Sequence, residues 1–176
     1  MEAVDFNVRT SRLELREFQA SDAEALYALN SDPKVLRYTG EQPFPDVAAA
    51  AAFIDGYTHY RDYGFGRWAV IHLDSGAFMG FCGLRRQAAG GPVDLAFRLF
   101  PRYWAKGYAT EAANAALAAG FGQFGLEEIT GRAMRENLPS ISILQNLGMR
   151  FQSVQEEHGL IWLVYVIGRE EFNTRA

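Results

Sequence analysis

An α/β fold, with helices packed against a mixed sheet, is predicted for this chain from three observations. Short runs such as "RLELREF" (12–18) alternate apolar and charged residues with the period of a half-buried strand. Longer alanine-rich stretches, above all 107–124, carry apolar residues at the helical period instead. The two kinds interleave in the order β-α-α-β-β-β-α-β-α-β-β, which places strands and helices in a single layered unit.

Each element has its own local reason. Leu13 and Leu15 point one way from the first strand, and Ser21 or Asp22 then caps a helix with Ala25, Leu26 and Leu29 on one face. "RYTGEQPFPD" (37–46) is a loop, because two prolines and a glycine remove helix continuity. A helix is expected from Asp46 to about Arg61, stopped near "DYGFG". "RWAVIHL" (67–73) and "FMGFCGL" (78–84) read as a hairpin through "DSG", and "VDLAFRL" (93–99) as a further strand after the loop "QAAGG". On the long helix that follows, Ala112, Ala113, Ala116, Leu117, Gly120, Phe121 and Phe124 share a face. "EEITGRAM" (127–134) is a strand, and "LPSISILQNLG" (138–148) a short helix with Pro139 in its first turn and Gly148 at its end. "RFQSVQEE" and "LIWLVYVIG" close as a hairpin through "HG" (158–159). The last strand is apolar enough for either a central position in the sheet or a subunit interface, so a monomer and a homodimer both remain open.

With 176 residues, 49% apolar and 22% charged, the chain suits one soluble domain, taken as 1–176. A net charge of −4 argues against broad binding to nucleic acid or anionic lipid and leans toward cationic substrates. Cys82 stands alone and the three histidines lack metal-motif spacing, so neither a disulfide nor a metal is expected. "MEAVDFNVRT" lacks the pattern of a signal peptide, and no run approaches the ~20 apolar residues of a membrane span, which makes the cytoplasm the default location.

The stretch "RYWAKGYATEA" (102–112) runs an aromatic, cationic loop through one glycine into the long helix. The first N–H groups of a helix lack intrahelical partners, and the macrodipole makes that end positive. Lys106 adds charge, Gly107 permits positive φ or close backbone approach, and Ala109 and Thr110 keep the entrance small. Neither the Walker pattern nor G-x-G-x-x-G is present. Locally, an anion site and a plain tight helix start account for the stretch equally well.

The wider context separates them. "LAFRLFPRYWAKGYATEA" (95–112), followed by "ENLPSISILQNLGM" (136–149), resembles the GNAT superfamily of acetyl-CoA-dependent N-acetyltransferases. "RLELREFQASDAEAL", "SDPKVLRY", "WAV…GFCGL" and "YWAKGYATEA" are similar to its ribosomal-protein-alanine N-acetyltransferase branch, and the likeness covers about residues 9–168 in order. The resemblance implies a mostly antiparallel twisted sheet of about seven strands flanked by about four helices, with acetyl-CoA as co-substrate and no metal. Its pyrophosphate loop, [Q/R]-x-x-G-x-[G/A], falls on Trp104, Ala105, Lys106, Gly107, Tyr108 and Ala109, with the Thr110 hydroxyl beside it. It further implies that Phe97, Arg98 and Leu99 pair by backbone with the pantetheine arm, that Asn137 and Ser140 line the thiol end, and that Tyr38 and Phe44 shape the acceptor pocket with Trp68 as a cleft or core aromatic.

Two departures stand out. Ala105 occupies the place of the branch's first glycine and is expected at negative φ. Leu144 stands where many members carry a tyrosine general acid, a task the resemblance passes to Ser140. A serine there can equally cap the helix. Acetyl transfer requires a neutral amine, although free amines with pKa about 8 to 10 are mostly protonated at neutral pH, so a base is useful. Asp94 is the leading candidate, and a salt-bridged surface aspartate is the competing account of it; Glu41, His72 and Glu156 are weaker candidates. Cys82 sits in an apolar run and reads as a buried structural residue, while Glu111 reads as a brace for the helix start. The expected activity is acetyl transfer to a primary amine, of a protein N-terminus such as a ribosomal protein's or of a small molecule, by direct attack in a ternary complex. A CoA-binding sensor domain without catalysis is the alternative.

Overall fold

Alternating apolar strands need a partner on each side and a layer of helices on each face, and the computed structural model, which describes residues 5–175, supplies both. Strands β1 (Asn7–Arg9), β2 (Leu13–Arg16), β3 (Arg67–His72), β4 (Phe78–Arg86), β5 (Val93–Leu99), β6 (Glu128–Met134), β7 (Arg150–Glu157) and β8 (Leu160–Gly168) form one sheet in the order β1-β2-β3-β4-β5-β6-β8-β7. Every pairing is antiparallel except β5 with β6. Eight strands stand where about seven were expected, because the three-residue β1 is too short to show an alternation. Strand β8 is an interior strand between β6 and β7, which accounts for its apolar run.

The four expected helices are α1 (Ala23–Leu29), α3 (Val47–Asp55), α5 (Tyr108–Gly122) and α6 (Leu138–Asn146). Short helices α2 (Pro33–Leu36), α4 (His59–Tyr63) and α7 (Arg169–Asn173) add to them. The expected helix over 46–61 is broken: α3 ends at Gly56, and α4 begins only after Thr58. Both Asp32 and Asp46 cap their helices through side-chain oxygens that accept from Lys34 N and Ala49 N.

The two faces of the sheet carry different layers. Helix α5 buries Ala112, Ala113, Ala116, Leu117 and Phe121 against a core that includes Trp68, Cys82, Leu84 and Leu95. On the other face Phe81 packs with Leu26, Leu29 and Val35 from α1 and α2. No helix of the described residues is long and apolar enough to cross a membrane.

Candidate active site

The sheet opens at its one parallel junction. Strands β5 and β6 pair only at Asp94–Thr130 and Leu95–Gly131, and beyond that point they part. Ala96 to Leu99 on one side and Arg132 and Ala133 on the other then line a cleft of about 800 Å³. Helices α5 and α6 both present their N-termini to this opening, through Tyr108 to Thr110 and through Asn137 to Ser140.

The α5 loop is shaped for an anion. Gly107 is left-handed at φ 81°, and Ala105 is left-handed as well, at φ 58°. The second value corrects the expectation of negative φ at Ala105: the chain keeps a glycine-like turn there and tolerates the methyl group at a cost of about 1–2 kcal/mol. The backbone N–H groups of Lys106, Gly107, Tyr108, Ala109 and Thr110 donate to no other group among the described residues. Successive free N–H groups at a helix N-terminus, alternating with left-handed residues, make a concave anion seat. The Lys106 side chain takes no part in lining the cleft; its Nζ turns back to donate to the Arg102 carbonyl at 2.9 Å.

A clamp from the other end of the chain holds this loop. Arg12, in the turn between β1 and β2, donates from Nη1 to the Lys106 carbonyl at 3.1 Å and lies 4.2 Å over the Tyr108 ring. Its Nε and backbone N–H donate to Glu111, which also accepts from Thr10 Oγ1 at 2.6 Å. Burial alone would raise the Glu111 pKa, but these hydrogen bonds and the Arg12 charge hold it below the ordinary value. Arg12 was not singled out from the sequence, because its partners are nearly a hundred residues away.

At the α6 end, Asn137 Oδ1 accepts from Ser140 N at 3.3 Å, so Asn137 rather than Ser140 is the cap. The Ser140 hydroxyl lines the cleft and makes no hydrogen bond among the described residues. Asp94 also lines it, at the vertex where β5 and β6 part, and accepts from Thr130 Oγ1 and Gln87 Nε2 without an ion-pair partner among the described residues. The Leu99 carbonyl is engaged by the Trp104 indole N–H at 2.8 Å.

Other expected residues lie apart. Trp68 is fully buried in the α5-side core, stacked 3.9 Å from Phe6. Phe44 packs on Phe53 outside the cleft lining. His72 is tied to Ser75 and Tyr108, and Glu156 is exposed on the edge strand β7. Cys82 is buried, which pushes its thiol pKa up. Tyr38, Phe97 and Arg98 line the cleft. Glu41 lines it too, but accepts from Arg98 Nη1 at 2.9 Å. Burial raises its pKa, and the Arg98 hydrogen bond with the charges of Arg98, Arg67 and Arg85 more than offsets this, leaving a weak base.

The charge of the cleft is opposite to that of the chain. Lys34, Arg37, Arg67, Arg85, Arg98 and Arg132 line it, against the two carboxylates Glu41 and Asp94.

Comparison with known proteins points to one family. A family model described as an acetyltransferase (GNAT) domain matches residues 12–150. An uncharacterized N-acetyltransferase of Bacillus subtilis (strain 168), YnaD, is 30% identical over 173 residues, covering 95% of this chain and 99% of the relative. The crystal structure of a GNAT-family acetyltransferase from Bacillus anthracis superposes with a TM-score of 0.83 at 26% identity, covering 94% of this chain and 99% of that one. A spermidine N-acetyltransferase from Vibrio cholerae, solved with CoA and spermine, shares the fold with a TM-score of 0.82 at 18% identity over 94% of this chain and all of the neighbour (100%). With the matched family model spanning most of the chain, this protein belongs to the GNAT acetyltransferase family.

Proposed function

We propose that the enzyme carries the acetyl group of acetyl-CoA to a primary amine by direct attack in a ternary complex. The observation that carries this reading is the row of free N–H groups from Lys106 to Thr110 at the mouth of the β5–β6 cleft. Those groups and the Thr110 hydroxyl hold the pyrophosphate, with Lys106 contributing through its backbone. The edge of β5 left bare beyond Leu95 offers the backbone groups of Phe97 and the Leu99 N–H to the pantetheine arm, while the backbone of Arg98 pairs with Phe81 on β4 and the Leu99 carbonyl stays with Trp104. The thioester carbonyl meets N–H groups of that same edge, where charge develops in the transition state.

Asp94 takes the amine proton, directly or through water. Its two side-chain donors, Thr130 and Gln87, orient the carboxylate. Ser140 gives a proton to the departing thiolate; Asn137 has already satisfied the helix end, so the hydroxyl is free for this task. Tyr38 contributes to the acceptor wall. Aligning the two substrates supplies a large part of the acceleration.

Thermal unfolding with acetyl-CoA, and with ATP as control, tests the donor half. Saturation at a hundredfold over Kd adds roughly 2.7 kcal/mol. Free-thiol release with a panel of amines then tests transfer. A melting shift with acetyl-CoA but no thiol release on any amine would mark a CoA sensor instead of an enzyme acting in this way.

A further inference from the structure

Strand alternation sends Arg67, Phe81, Arg85 and Arg98 to the face opposite α5. In register, Arg67 lies across from Gly83, Phe81 from Arg98, and Arg85 from Asp94, while Trp68, Cys82 and Leu84 point into the α5 core. The guanidinium groups of Arg67 and Arg98 both lie 5.1 Å from the centre of the Phe81 ring. Arg98 is compensated by Glu41 and by Asn30 Oδ1 at 2.8 Å. Arg67 is not. Its Nε is buried without a hydrogen-bond partner, and neither Arg67 nor Arg85 has an ion pair among the described residues.

A guanidinium stays charged at neutral pH and presents five donors in a fixed fork. Holding one half-buried beside two like charges is costly unless an anion joins it. Burial foremost holds the Arg67 pKa below its ordinary value; Tyr57 and Glu41 pull it upward, and the charges of Arg85 and Arg98 push it further down. Tyr57, whose hydroxyl accepts from Arg67 N at 2.8 Å, has its own pKa raised by burial and stays neutral, so it is no counter-ion. The phosphates of CoA do not answer this need either. Their seat is the N-terminus of α5, on the far side of the slit from these arginines.

We propose that the acceptor is an amine carrying an oxyanion, a carboxylate or a phosphate, and that Arg67 with Arg85 binds that group while the amine reaches toward Asp94. This rests on the acetyl-transfer reading above and narrows it to acceptors of negative or zwitterionic charge. Polyamines, the class to which the overall acidity of the chain points, are excluded from this pocket by the same three arginines.

The test measures thiol release by the full chain with acetyl-CoA and matched acceptors: amino acids against their carboxamides, phosphoethanolamine against ethanolamine, and spermidine. The two anionic sets distinguish carboxylate from phosphate. The expected result is that the best anionic acceptor exceeds its neutral counterpart at least about tenfold in kcat/KM. Arg67→Gln then brings that ratio toward one, chiefly through KM. Should Arg67→Gln fail to fold, the wild-type ratios decide the matter alone, with Arg85→Gln as the second variant. Equal or faster turnover of the neutral amines or of spermidine overturns the inference and leaves acetyl transfer standing. A melting shift with acetyl-CoA but no turnover of any anionic amine overturns it as well. The absence of any shift with acetyl-CoA strikes instead at the proposed function itself.

Discussion

Arg12 Nε donates to Glu111 Oε2 at 2.7 Å, joining the first hairpin of the chain to the first turn of α5 across 99 positions of sequence. Since Arg12 also holds the Lys106 carbonyl, the pair fixes the loop whose N–H groups face the cleft. Glu111→Gln is expected to cost about 1–3 kcal/mol, the worth of hydrogen bonds to a charged group, and to weaken acetyl-CoA binding. The folded-state pKa of Glu111 lies below its unfolded value of 4.5. Its contribution is therefore complete above that pH and fades as pH falls through the folded-state value. Denaturant unfolding from pH 7 down to pH 3 should show the variant losing less stability on acidification than the wild type.

Ala105 sits at φ 58°, where a side chain is disfavoured by about 1–2 kcal/mol. Ala105→Gly relieves that strain and is expected to raise stability by up to about 1 kcal/mol, the entropy of the freer unfolded glycine offsetting the rest. Ala105→Val is expected to lower it. Equilibrium unfolding of the three proteins gives the order directly, and a Gly variant less stable than the wild type would contradict the left-handed assignment.

Ser140 and Asn137 divide two jobs that one serine was able to fill by sequence alone. Asn137 caps α6, so Asn137→Ala should cost about 1 kcal/mol in stability. Ser140→Ala should leave the melting temperature nearly unchanged and lower kcat by about 10²-fold if its hydroxyl protonates the thiolate. Differential scanning calorimetry and steady-state rates on the two variants separate these effects. A Ser140→Ala enzyme with full kcat would remove the proton-donor role.

Local features of this site were legible in the sequence, and non-local ones were not. "RYWAKGYATEA" declares its turn through Gly107 because backbone conformation is set by neighbouring residues. "RWAVIH" declares a strand by composition, but a buried strand has apolar residues on both faces, so nothing in the run says which residues turn toward the cleft. Trp68 therefore drew attention, while Arg67, one position earlier and pointing the other way, did not. Arg12 escaped for a different reason, since its contacts exist only once β2 and α5 lie side by side. The break at Gly56 was also hidden: "YTHYRDY" continues a plausible helix, and only the engagement of Tyr57 and Tyr60 with the backbone of Arg67 shows why the chain turns there.

Gly80 makes the sharpest demand on a single residue. It lies at the irregularity in β4 where the register with β3 shifts, with φ at 147°. A Cβ there would overlap the Arg98 carbonyl oxygen and stand 2.8 Å from Leu99 Cα, both backbone atoms of β5 that no rotamer change can move. Gly80→Ala must therefore displace β5 just where it borders the cleft, and a loss above about 3 kcal/mol is expected. Gly76→Ala is the control. It lies in the milder left-handed region, at φ 71°, with nothing within 4 Å of its would-be Cβ, so a backbone cost of about 1–2 kcal/mol applies. Melting temperatures of the two variants show how much more the conformation and close approach at Gly80 demand than a plain left-handed turn does. If both fall equally, the close approach of β4 to β5 at Arg98 is not what Gly80 serves.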